Sequence, residues 1–126
     1  MTTTPHFIPD WSSQEVLNLV YGRLQEPKFA AISAGNLGDN TIIAAVTGKK
    51  IQVINLMMIA SGAVTVRFES GAGGTALSGQ ADLVTNSGFV IPFSPIGWFE
   101  TVAGALLNLE LSAAVNVAGF VAYVEV

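Results

Sequence analysis

Two hydrophobic periods divide the chain. Between Ser12 and Leu24 the apolar residues Val16, Val20 and Leu24 recur at i, i+4 and i+8, flanked by Leu17 and Leu19. That spacing places them on one stripe of a helix. Ser12 and Glu15 form an S-x-x-E capping box, in which the serine oxygen takes a free backbone N–H and the glutamate reaches back. Gly22 weakens the last turns and Pro27 stops the helix, which is predicted over about residues 13–24. Before it, a Thr-rich start with Pro5 and Pro9 reads as an extended arm.

From Phe29 onward the pattern changes. Runs rich in Val, Ile, Ala and Thr are punctuated by Gly, Asn, Asp and Pro at intervals of about 8–12 residues, the signature of an all-β sandwich or barrel. The predicted strands are Lys28–Ser33, Thr41–Thr47, Lys50–Ala60, Ala63–Glu69, Thr75–Leu77, Phe89–Pro92, Gly97–Glu100, Ala105–Ser112 and Ala114–Val126, with turns at GNLGDN, TGKK, SG and TNSG. The chain is expected to divide into an arm and helix over 1–28 and an antiparallel β-sandwich domain over 29–126.

Several strands are apolar on both faces. In IQVINLMMIA, strict alternation puts Ile51, Val53, Asn55, Met57 and Ile59 on one side and Gln52, Ile54, Leu56 and Met58 on the other. An antiparallel sheet with one wet face alternates apolar and polar. Two apolar faces are expected when one meets the opposing sheet and the other meets a second subunit. On this basis Ile54, Leu56, Met58, Trp98 and Tyr123 are candidates for a subunit interface. A central strand covered by the N-terminal helix would have the same pattern.

Composition points the same way. The 126 residues are 51% hydrophobic and 11% charged, against about a quarter charged in a typical soluble domain. So few charges cover a small domain's surface poorly, which suggests that an interface hides part of it. The net charge is −4, and the five basic residues are scattered, with only Lys49 and Lys50 adjacent. Nucleic-acid binding needs a clustered positive footprint, so no nucleic-acid partner is expected. There is no cysteine, hence no disulfide framework and no thiolate metal site. MTTTPHFIPDW lacks the basic and apolar regions of a signal peptide, and no apolar run approaches the ~20 residues of a membrane helix. The protein is expected to be made in the cytoplasm and to remain soluble.

Candidate chemistry is sparse. Gly71, Gly73 and Ala76 in SGAGGTA fit G-x-G-x-x-[GA] after a strand-like run. A phosphate cradle requires a helix directly after the glycines, and LSGQADLVTNSG does not supply one. The stretch reads instead as a hairpin turn, and no cofactor is expected. His6 is the only histidine and lies in the arm, away from any orienting carboxylate. Glu69 and Glu100 could meet across strands as a glycosidase-like pair, but dispersed acids are ordinarily solvated surface. GNLGDN only faintly echoes an oxygen-ligand loop, so no metal is expected. In IPFSPIGWFET, Pro92 and Pro95 exclude central-strand pairing, and Trp98 and Phe99 point to opposite faces of an extended chain. One ring can anchor the core and the other an interface, or both can enter one core through a bulge.

These residues carry a resemblance. The TGKK strand end, the hairpin closing at SGAGGT, the G-W-F-x-T turn, the Leu107–Leu109–Leu111 strand and the terminal strand bearing Tyr123 are similar to a β-sandwich domain of tailed-bacteriophage structural proteins. Those proteins are capsid decoration (cement) proteins and head- or tail-fibre modules. The resemblance covers roughly residues 29–126. It implies a jelly-roll-like sandwich assembling as a homotrimer on the capsid exterior, bound across neighbouring major capsid protein subunits and without an active site. The N-terminal segment, with Phe7, Ile8, Trp11, Val16 and Val20, is then the expected capsid-docking element. A fibre module binding a receptor or glycan is the alternative within the same resemblance, and a small hydrolase using Glu69 and Glu100 the alternative outside it.

Overall fold

The computed structural model describes residues 26–126. Ten strands run in chain order: β1 (Lys28–Ala34), β2 (Gly38–Ile43), β3 (Ile51–Ala60), β4 (Val64–Ser70), β5 (Thr75–Ala76), β6 (Ala81–Leu83), β7 (Gly88–Ile91), β8 (Phe99–Glu100), β9 (Leu107–Leu111) and β10 (Val117–Glu125). Among the described residues there is no helix. The helix expected over about residues 13–24 lies outside them, as do Phe7, Ile8, Trp11, Val16 and Val20.

The strands form two five-stranded sheets. Sheet A has the order β1-β10-β3-β7, with β8 also pairing β3; sheet B has the order β2-β9-β4-β5, with β6 also pairing β4. Every pairing is antiparallel. The sheets pack face to face as a sandwich, because each contributes one apolar face to a shared core. Sheet A supplies Ile32, Ile51, Val53, Leu56, Met58, Val117 and Val121. Sheet B supplies Ile43, Val64, Val66, Phe68, Leu107, Leu109 and Leu111. The rings of Phe68 and Phe99 meet across this core with centroids 5.2 Å apart.

Strict alternation fails in β3. Asn55 pairs with Ala122 and Val53 with Tyr123, which leaves Ile54 as an extra residue in a β-bulge. A bulge puts two residues opposite one and shifts the phase of the side chains beyond it. Ile51 and Val53 therefore point inward before the bulge, and Leu56, Met58 and Ala60 point inward after it. The predicted partition of IQVINLMMIA into two unbroken faces is corrected accordingly.

Two smaller differences have local causes. β2 starts at Gly38, inside the stretch expected to be a turn. There the Asn40 side chain accepts from the backbone N–H groups of Gly35 and Asn36 and donates to the carbonyls of Asn36, Gly38 and Leu109. One side chain thus holds a short turn over residues 35–37 while its own backbone stays in the strand. β6, only three residues long, falls in a stretch read as loop. Its pairing comes from β4, with Thr65 opposite Asp82, and Thr65 Oγ1 donates to Asp82 Oδ1 at 2.8 Å.

Candidate functional site

The glycine-rich stretch forms the turn between β4 and β5. Gly74 N donates to Gly71 O at 3.0 Å, and Leu77 N donates to Phe68 O at 2.8 Å. Gly71 and Gly73 take φ of 84° and 66°, the left-handed region that glycine enters without a Cβ penalty. A strand follows these glycines, not a helix, so no helix N-terminus faces the turn.

A dense group of polar side chains lies on sheet B. Val64, Val66 and Phe68 of β4 and Leu107, Leu109 and Leu111 of β9 face the core, so alternation turns Arg67, Glu69, Asn108 and Glu110 to the other side. Glu69 and Asn108 are nonetheless fully buried. Arg67 Nε donates to Glu69 Oε2 at 3.0 Å, joined by Nη2, which also donates to Glu110 Oε1 at 3.0 Å. Asn108 Nδ2 donates to Glu69 Oε1 at 2.8 Å and to Asp39 Oδ1 at 2.9 Å, while its Oδ1 accepts from Asn40 N. Both oxygens of the buried carboxylate are therefore satisfied.

The hydrogen bond to Glu69 holds the Arg67 guanidinium above its ordinary pKa; burial pulls it down, and the charges of Glu69 and Glu110 raise it further. The group is a cation at every pH at which the fold is relevant.

Carboxylate oxygens of Asp39, Glu69 and Glu110 lie within 4.8 Å of one another, so among the described residues these could approach a cation. Arg67 already bridges Glu69 and Glu110, and Asn108 bridges Glu69 and Asp39. The cluster is organised by its own donors. A shallow depression of about 380 Å³ beside it is lined by Leu37, Thr65, Arg67, Gln80, Glu110 and Ser112, among others.

Glu69 and Glu100 are not brought together. Glu69 lies on β4 of sheet B, whereas Glu100 lies on β8 of sheet A. There Glu100 pairs with Lys50 at 3.1 Å and accepts from Gln52.

Apolar exposure is concentrated elsewhere. On the outer face of sheet A the register aligns Ala31, Phe120, Met57 and Val90 as a row crossing all four strands. Phe29 is 76% exposed, Val90 69%, Ile59 48% and Phe120 47%. A row of this kind has no polar partner to give and nothing to gain from water. Phe93, Ile96 and Trp98 are also exposed, from the segment that joins β7 to β8. Trp98 Nε1 donates to Pro92 O at 2.7 Å, which pins the indole across that segment.

The residues expected at a subunit interface scatter. Leu56 and Met58 are buried inside the sandwich by the chain's own opposing sheet, and Tyr123 packs, half-buried, against the same core. Ile54 is buried in a second cluster with Ala122 and Val124. Trp98 alone of the five is exposed. The outward residues of β3 beyond the bulge are Met57 and Ile59, which two-residue periodicity without a bulge had assigned to the other side.

No family model matches the chain, and no curated protein matches it in sequence. Among solved structures, the chain is similar to a protein of Bacillus endospore appendages, described as a novel family of disulfide-linked pili, with 17% identity and a TM-score of 0.43 over 81% of this chain and 85% of that one. It is also similar to a chain of infectious bursal disease virus strain Gx, with 14% identity and a TM-score of 0.33 over 79% of this chain and 33% of that one.

Proposed function

We propose that this chain is a structural protein of a tailed-bacteriophage virion: a homotrimeric capsid decoration protein on the head exterior, made in the host cytoplasm, that binds across neighbouring major capsid subunits and is not an enzyme. The observation that carries this reading is the group of exposed apolar side chains Phe93, Ile96 and Trp98 on one segment. Aromatic side chains held rigidly in water are the typical anchors of protein interfaces. The best-formed polar cluster, around Glu69, is by contrast closed on itself.

The strand order supports the jelly-roll form of the sandwich within this reading. Sheet A in the order β1-β10-β3-β7 faces sheet B in the order β2-β9-β4, where β5 and β6 both pair with β4. A first strand paired with the last, and a second with the last but one, is the order expected of the two Greek keys of a jelly roll. Trp98 with its neighbours forms the contact between copies, and the arm bearing Phe7, Ile8 and Trp11 reaches the capsid. Such a protein stabilises the shell by mass action, adding buried surface that the shell lacks alone.

The test has two parts. Light scattering on the purified full chain gives a trimer mass, and the chain cosediments with heads assembled from the major capsid protein of the same genome, raising their rupture temperature. A chain that binds no heads sinks the decoration reading. The exposed pair Phe93 and Trp98 favours a second reading, a fibre module that stacks a sugar ring on an aromatic face; binding on a glycan array, without head binding, would select it.

A further inference from the structure

We infer that Gln52 is a positioning residue for the contact between copies. Its side-chain amide holds the tip of the segment that presents Ile96 and Trp98, and so sets how tightly that segment binds. This rests on the reading of the segment as the subunit contact.

The segment leaves sheet A where β3 bulges. β8 pairs with Gln52 and Val53, and β7 pairs with Leu56 through Ile59, so residues 92–98 span the gap opposite Ile54 and Asn55. Backbone bonds fix both sides of the tip: Ser94 N donates to Ile54 O at 2.9 Å, and Trp98 N donates to Val53 O at 2.8 Å. Between them, Pro95 has no N–H to give, and Gly97 N donates back to Ser94 O at 3.1 Å. Among the described residues, the one hydrogen bond from the sheet to residues 95–97 is that of Gln52 Nε2 to Ile96 O, at 3.3 Å. The same nitrogen donates to Glu100 Oε1 at 3.2 Å, and the other oxygen of Glu100 pairs with Lys50 at 3.1 Å. The amide is therefore braced from behind.

The tip also rests on this side chain. Gly97 has a φ of 81°, and a Cβ there would stand 2.6 Å from Gln52 Cγ. Gln52 Oε1 is enclosed and has no hydrogen-bond partner among the described residues. An enclosed acceptor without a donor costs free energy, so an apolar side chain of similar length would fill this space at less cost. What the amide adds is its donor to Ile96 O. Apolar side chains ordered before binding lose less conformational freedom on association. By holding the tip, Gln52 raises affinity without touching the partner.

The test uses the full chain with Gln52→Met, which keeps length and removes the donor. Below the association range, hydrogen exchange at Gly97 and Trp98 should speed up by about tenfold or more, as local opening becomes easier. The melting temperature should not fall, because Ile96 and Glu100 are exposed and water replaces the lost donor. Self-association, read by sedimentation velocity, should weaken by about tenfold. Unchanged exchange would overturn the inference, whether melting or association changes or not; weaker association alone would mean that Gln52 touches the partner itself. A second variant checks the packing. Gly97→Ala should speed exchange much less in a Gln52→Ala background than in the parent, since its collision partner is gone. Equal effects would overturn the support of Gly97 by Gln52. If exchange responds as expected but the parent chain is monomeric, or association is unchanged, the reading of the segment as a subunit contact falls and the positioning stands.

Discussion

Asn108 Nδ2 lies 2.8 Å from Oε1 of Glu69, two fully buried polar groups on neighbouring strands of sheet B. The asparagine also accepts from Asn40 N and donates to Asp39, so one side chain ties β9 to both β2 and β4. Asn108→Ala would leave a buried carboxylate oxygen and a backbone N–H without partners. Each such loss costs about 1–3 kcal/mol, so the variant should lose at least about 2 kcal/mol. Urea denaturation followed by tryptophan fluorescence measures it. Arg67→Met should also lower the denaturation midpoint, because it strips the buried Glu69 carboxylate of its counter-charge.

Trp98 is half exposed, and its indole N–H bonds to Pro92 O. Trp98→Ala should therefore leave the sandwich folded while weakening self-association. An anchor of this type contributes about 2 kcal/mol or more to an interface. If the protein associates as proposed, the trimer should shift toward monomer at concentrations where the parent protein is fully associated, as read by sedimentation velocity. An unchanged mass distribution would remove Trp98 from the subunit contact.

The bulge in β3 makes adjacent methionines unequal. Met58 is 1% exposed inside the core, while Met57 faces outward between Phe120 and Val90. Met58→Ala should destabilise by about 2–5 kcal/mol through the cavity it leaves, and Met57→Ala should cost the sandwich clearly less. Thermal unfolding of the pair decides it; equal losses would contradict the register beyond Ile54.

The glycine turn offers a comparison of the same kind. A Cβ on Gly73 meets nothing within 4 Å, so Gly73→Ala carries only the cost of a φ of 66°, about 1 kcal/mol. A Cβ on Gly74 would stand 1.9 Å from the carbonyl oxygen of Ser70, the last residue of β4. Gly74→Ala must displace backbone and should lower the melting temperature further than Gly73→Ala. If the two variants melt together, the turn geometry is different from that described.

Much of the framework was legible in the pattern of residues. Eight of the ten strands fall where runs of β-branched and apolar residues stand between turn residues, β2 overlaps such a run only from Thr41 on, and the hairpin at SGAGGT follows from its glycines and the absence of a helix-forming stretch behind them. β6 was missed because Ala81, Asp82 and Leu83 have no pattern of their own; β4 recruits them. The network around Glu69 was missed for a related reason. Asp39, Arg67, Glu69, Asn108 and Glu110 are far apart in sequence and conform to no spacing rule, and only the pairing of β2, β9 and β4 puts them in reach of one another.

Composition and alternation by themselves determined that residues 29–126 are an all-β domain with more apolar surface than one sandwich core consumes. Local residue chemistry is enough for that, since strand propensity, turn signals and the scarcity of charge are read position by position. Which residues carry the surplus was decided only by the tertiary structure. A single extra residue at Ile54 reverses the phase of β3, sending Leu56 and Met58 into the core and Met57 and Ile59 to the outside. The side-chain period of a strand is two, so a bulge of one residue exchanges its faces. Only pairing with β10 puts the bulge at that position.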